Sequence, residues 1–130
     1  MRTRAEDCMV KTVGRVDVPM DIFKCSVVVW VGDPVRMVRE LSKEGFRFPV
    51  DFPESDALSG STLGIRGEPD KVIWLKRMDM PSLAHEAVHA ASMVCEDKGI
   101  KDEEVLSYLV EHIVRVVLEN KETNKKERRR

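Results

Sequence analysis

The segment Ser26-Val27-Val28-Val29-Trp30-Val31 carries no polar residue after its first, and this constrains the fold more than any other feature of the chain. An apolar, β-branched run of that length reads as a strand in the middle of a sheet. It ends a longer β-branched stretch, residues 16–31, in which Pro19 is expected to interrupt or precede the strand, because proline cannot donate to a ladder.

The period then changes. Asp33-Pro34 has the form of a helix start, with Asp as N-cap and Pro at the first helical position. Val35, Met37, Val38 and Leu41 give a helical apolar stripe, and Gly45 is a plausible stop. Residues 46–61 hold Pro49, Pro53, Gly60 and several acids and read as a loop. Two short strands are expected near residues 61–66 and 71–76. The turn chemistry of Gly67-Glu68-Pro69-Asp70 between them predicts a hairpin. From Pro81 a helix is expected, capped by Asp79 or Ser82, running to about Asp97 and ended by Gly99. Asp102 is positioned to cap a last helix over residues 103–118. The order strand, helix, two strands, helix, helix predicts a compact α+β fold.

At 130 residues the chain has the size of one domain. With 42% hydrophobic and 35% charged residues, it fits a soluble globular protein. No apolar run approaches the roughly 20 residues of a membrane span, so no membrane partner is expected. The polar first ten residues lack a signal-peptide stretch. Cys8, Cys25 and Cys95 are odd in number and scattered, which points away from a disulfide framework and towards a reducing cytoplasm. Net charge is -1, yet residues 121–130 hold six Lys or Arg and two Glu, a net +4, so the rest sums to -5. This basic end reads as a disordered tail, a frayed and solvated helix end. It is the only feature favouring nucleic acid. The body is acidic and aromatics are only 5%, so nucleic acid is not the expected partner.

Chemistry concentrates in His85-Glu86-Ala87-Val88-His89, an HExxH sequence on a predicted helix. Residues four apart share a helix face, so both imidazoles can reach one metal ion. Glu86 sits about 100° around the helix from His85, where it can hold a metal-bound water and take its proton. Leu83, Ala84, Ala87, Ala90, Ala91 and Val94 form the opposite, small and apolar side. A catalytic zinc keeps three protein ligands and one open position. Cys95 lies where an HExxHxxGxxH protease has its third histidine, but Ser92 replaces the Gly of that pattern, so Cys95 reads as a buried hydrophobe. His112 is a lone helical histidine. Glu103, Glu104 and Glu111 are the acidic candidates. Spacing leaves Glu104 and Glu111 open, since both share a helix face with Tyr108.

Val72-Ile73-Trp74-Leu75, the run from Leu83 through the HExxH to Ala91, and Glu104-Val105-Leu106-Ser107-Tyr108-Leu109 together resemble a family of small bacteriophage-encoded zinc peptidases. These are minimal zincins with an HExxH helix and a downstream glutamate. The resemblance spans roughly residues 25–117, departs at Ser107, where the family pattern has Ala, and does not include the basic tail. It implies a small mixed sheet packed on the HExxH helix and a C-terminal helix, in one zincin-like domain over residues 1–120. It also implies Glu104 as third zinc ligand beside His85 and His89, and Tyr108 as a transition-state hydrogen-bond donor. The implied reaction is attack of a zinc-activated water on a peptide bond, with Glu86 carrying the proton. A peptide or protein substrate would lie along a sheet edge, for which the strand over residues 71–76 is the candidate. The alternative is a non-catalytic phage or host-takeover binding protein with a structural zinc, marked by a fourth protein ligand from Cys95 or His112.

Overall fold

A strand without a polar face must be covered on both sides, and the chain supplies both covers. The computed structural model describes residues 14–52, 59–65 and 68–128, with side chains through residue 120. Its elements are β1 (Arg15–Met20), a 3-10 turn (Asp21–Phe23), β2 (Cys25–Val31), α1 (Pro34–Ser42), β3 (Gly60–Leu63), β4 (Lys71–Leu75), α2 (Met80–Asp97) and α3 (Glu103–Arg128). The four strands form one mixed sheet in the order β1-β2-β4-β3. β2 and β4 are parallel, with Trp30 beside Trp74, and the outer strands pair antiparallel to them. The architecture is mixed α+β. No helix among the described residues is long and apolar enough to cross a membrane.

Alternation sorts the apolar run into two cores. Val27, Val29 and Val31 face α2 and α3 together with Ile73 and Leu75. Val28, Trp30, Val72 and Trp74 face α1, which inserts Met37 and Leu41. The stretch after α1 adds Phe46, Phe48 and Phe52 to this second core, and Phe52 meets Trp74 edge-on at 5.8 Å. The expected loop is therefore also part of the hydrophobic cover. Val35, expected in the stripe of α1, is 63% exposed, because the helix leans on its Met37 and Leu41 side.

The helix starts follow the expected chemistry. The Asp33 carboxylate accepts from the Val35 N–H, and the Asp102 carboxylate from the Glu104 N–H. For α2 the cap is Asp79, which accepts from the Ser82 N–H at 3.1 Å. Gly99 follows α2 at φ 69°, a left-handed turn open to glycine. Helix α3 runs past the expected end at 118 to Arg128. Residues 129–130 and the side chains of 121–128, on which the basic tail was expected, lie outside the described residues, as do residues 1–13 and Gly67 of the hairpin turn.

The stretch over residues 16–31 differs from expectation. It is not one strand but a hairpin, β1 and β2, broken at Asp21–Phe23 with Lys24 at φ 54°. Pro19 lies inside β1, opposite Ser26. Val31 N donates to Gly14 O, which sets the alternation of the ladder. Counting from that bond, Pro19 occupies a non-hydrogen-bonded site, so its ring nitrogen points away from β2 and no ladder bond is lost.

Among the described residues, one lysine is fully buried. Lys71, 1% exposed at the head of β4, donates to the Ile65 and Glu68 carbonyls at 3.0 and 2.6 Å and pairs with Asp97 at 2.6 Å. It ties the β3–β4 connection to the end of α2. Removing one partner of a buried pair costs about 3 to 5 kcal/mol, whereas replacing both with apolar groups is often near neutral. Lys71→Met is therefore expected to lose stability on that scale in urea unfolding, and the Lys71→Met/Asp97→Leu pair to lose less than the single variant. A double variant as unstable as the sum of its parts would disprove the pairing as the cause.

Candidate metal-binding histidine pair

Helix α2 buries Leu83, Ala87, Ala90, Ala91 and Val94 against the sheet and α3. That leaves His85 and His89 on the solvent side, as the one-turn spacing requires. Their rings stand edge to face, with centroids 4.8 Å apart, and their Nε2 atoms are 3.2 Å apart. Two nitrogens each about 2.0–2.1 Å from a tetrahedral zinc are separated by roughly 3.3 Å. The pair therefore has the spacing of two ligands of one ion.

Glu86 turns the other way. It is 7% exposed and sits against β3. The Thr62 hydroxyl lies 2.7 Å from its Oε1 and 3.0 Å from its backbone oxygen. This close approach depends on small residues. A Cβ on Gly60 would come within 3.3 Å of Glu86 Cγ and 3.1 Å of the Trp74 carbonyl. A Cβ on Gly64 would come within 2.6 Å of Lys71 Cδ and 3.3 Å of Met93 Sδ. Gly60 and Thr62 thus form the α2-facing side of β3, and Gly64 continues it just past the strand's end. The period-two pattern of small residues in Gly60-Ser61-Thr62-Leu63-Gly64 is the sequence signal for Thr62, which motif reading alone overlooks.

The substrate edge also needs correcting. β4 lies between β2 and β3 and all five of its residues are buried, so it is no edge. The edge beside α2 is β3. A groove of about 360 Å³ runs along it, walled by Phe48, Leu63, Ile65 and Met93, with Arg47 at its rim. Met93 is one turn beyond His89 on the same helix.

The other expected site residues lie elsewhere. Glu104 and Tyr108 are exposed and line a separate cavity against the end of β1. The chain turns back over residues 98–102, so the start of α3 meets the end of α2: Glu103 shares a shallow groove with Ser92 and Cys95. His85 is ten residues before Cys95, about 15 Å along the helix axis. Glu111 pairs with Arg115. The His112 Nε2 is 2.8 Å from the Pro19 carbonyl and donates to it. Cys95 is buried, and burial raises its thiol pKa, which disfavours the thiolate a metal needs. Among the described residues, no group of three or more His, Cys, Asp or Glu forms that could hold a metal. Comparison with family models, curated proteins and solved structures yields no match.

The Thr62–Glu86 contact makes its own test. Thr62→Val keeps the shape but takes the hydroxyl from a buried carboxylate, which costs about 1–3 kcal/mol. Thr62→Ser keeps the donor and is expected to lose clearly less in thermal or urea unfolding. Equal losses for the two variants would mean that packing, not the hydrogen bond, accounts for the effect.

Proposed function

We propose that the chain is a zinc-dependent peptidase whose reaction centre is His85, Glu86 and His89. The observation that carries this reading is the 3.2 Å spacing of the two imidazole Nε2 atoms, on a helix that also carries Glu86, hydrogen-bonded to an edge strand. His85 and His89 would hold the ion. Bound zinc supplies Lewis acidity to a water or carbonyl oxygen. Glu86 takes the proton of the attacking water and passes it to the leaving amine. Thr62 fixes the direction of that carboxylate, and so the place where a scissile bond must sit. An extended peptide or protein segment pairs along β3 by strand addition, with apolar side chains in the groove formed by Phe48, Leu63 and Met93. The reaction class rests on the resemblance to small bacteriophage-encoded zinc peptidases. The setting that goes with it is a reducing cytoplasm, that of the host cell for a phage protein.

Glu104, the third ligand implied by that resemblance, belongs to another cavity, and Tyr108 goes with it. The reading therefore takes two protein ligands from the described residues and leaves the remaining positions to water and substrate. The lack of a third converging ligand among the described residues favours a second reading, a non-catalytic binding protein in which zinc is structural or held weakly.

Tag-free protein is expected to purify with zinc or to take it up on titration. His85→Ala and His89→Ala are expected to lose it, while Glu104→Ala leaves the affinity nearly unchanged. Glu86→Gln is expected to keep zinc and the fold but to lose about 10²-fold or more in peptide cleavage. Loss of zinc in Glu104→Ala would restore the ligand set implied by the resemblance. Equal inertness of parent and Glu86→Gln across a broad peptide library would favour the binding protein. Protein that takes up no zinc would end both metal readings.

A further inference from the structure

The largest cavity among those described is not at the histidine pair. About 660 Å³ in volume, it lies between the first turns of α3 and the end of β1 with its 3-10 turn. That volume is within the usual range for small-molecule sites, roughly 300–1,000 Å³. Its walls are apolar, from Met20, Phe23, Ile100, Val105 and Leu109. Ile22, 83% exposed, and Tyr108, 56% exposed, flank it as large side chains open to solvent.

The polar side chains of the lining have one chemistry in common. Asp21 and Glu104 are carboxylates, and among the described residues no Lys or Arg lines the cavity. His112 donates its Nε2 proton to the Pro19 carbonyl, which can only accept. In the neutral ring that leaves Nδ1 as an acceptor. The Tyr108 ring stacks on His112 at 6.4 Å and 14°, adding a π face that attracts cations. An apolar cavity with acceptors, negative charge and an aromatic face, and no Lys or Arg among its described lining, complements one class of ligand.

We propose that this cavity binds a small organic cation, an aryl- or alkyl-ammonium ion whose apolar body fills the walls and whose head meets Glu104 and Tyr108. The site is separate from the histidine pair and does not depend on the peptidase reading. Its natural probe is phenethylammonium, compared with phenethyl alcohol and phenylacetate in a titration of isotope-labelled full-length protein followed by NMR. Saturable shifts confined to residues 19–23 and 100–112 are expected, with the ammonium binding tightest and the carboxylate weakest. Glu104→Gln is expected to weaken the ammonium by about fivefold, the upper end for a partly exposed ion pair, and to leave the alcohol unchanged. Tyr108→Ala is expected to weaken both. Both side chains are exposed, so both variants are expected to fold. His85→Ala is expected to bind the ammonium as the parent does, which separates this proposal from the metal site.

Several results would overturn it. These are no saturable binding at millimolar ligand, equal affinity for ammonium and carboxylate, or shifts centred elsewhere. Concentration-dependent shifts of the same residues without ligand would mean that a second copy of the chain fills the cavity. Displacement of the ammonium by zinc in the parent but not in His85→Ala would return Glu104 to the metal.

Discussion

Two adjacent parallel strands, Val27–Val31 and Val72–Leu75, have side chains that must leave water on both faces of the sheet, and every other element answers to that demand. A single layer of helix would leave Trp30 and Trp74 in solvent. The chain therefore wraps α1 and three phenylalanines over one face and the α2–α3 pair over the other. The indole N–H of Trp74 shows how tight the arrangement is: it is buried with its ring and donates to the Gly32 carbonyl at 2.8 Å, at the turn leading into α1. Because α2 must lie flat on the sheet, its alanines face inwards and its histidines outwards. The orientation of the candidate metal pair is thus a by-product of covering the core.

Polar groups that do enter the interior are placed at its margins and tied to main chain. Lys71 binds two loop carbonyls as well as Asp97, and Glu86 is held to the edge strand by Thr62. The two tethers fix opposite ends of the same contact between α2 and β3. Lys71 secures the β3–β4 connection to the end of α2, and Glu86 secures the middle of β3 to the helix's second turn. The candidate site therefore has little freedom to shift against its groove, which suits a proton carrier whose distance to a bound bond must be held closely.

Local chemistry made much of this legible. Caps at Asp33, Asp79 and Asp102, the apolar runs of β2 and β4, and the HExxH helix each depend on residues close in sequence, and each appears where expected. What sequence reading missed depends on contacts between distant segments. The turn at Asp21–Phe23 uses Lys24 in a left-handed conformation, without the Gly or Asn that would have marked it, so β1 merged with β2 in the sequence. That β4 is internal and β3 is the edge follows from strand order, which no local pattern encodes. Helical periodicity put Glu104 and Tyr108 on one face correctly, but which neighbour that face meets was set by where residues 98–102 turn the chain.

The two borders of the sheet are unlike. Along β1, Pro19 has no N–H to offer, and His112 occupies its outward carbonyl. Arg15 of the same strand adds ion pairs with Asp17 and with Glu44, just after α1. β3 is only four residues long and holds no proline. A newcomer strand meets a ladder without proline along β3 and one interrupted at Pro19 along β1. Addition of a strand to this sheet is therefore favoured at β3 over β1, and a pair closed β3 against β3 would leave only the interrupted border for further growth. The sheet thus has one border suited to addition and one that resists it.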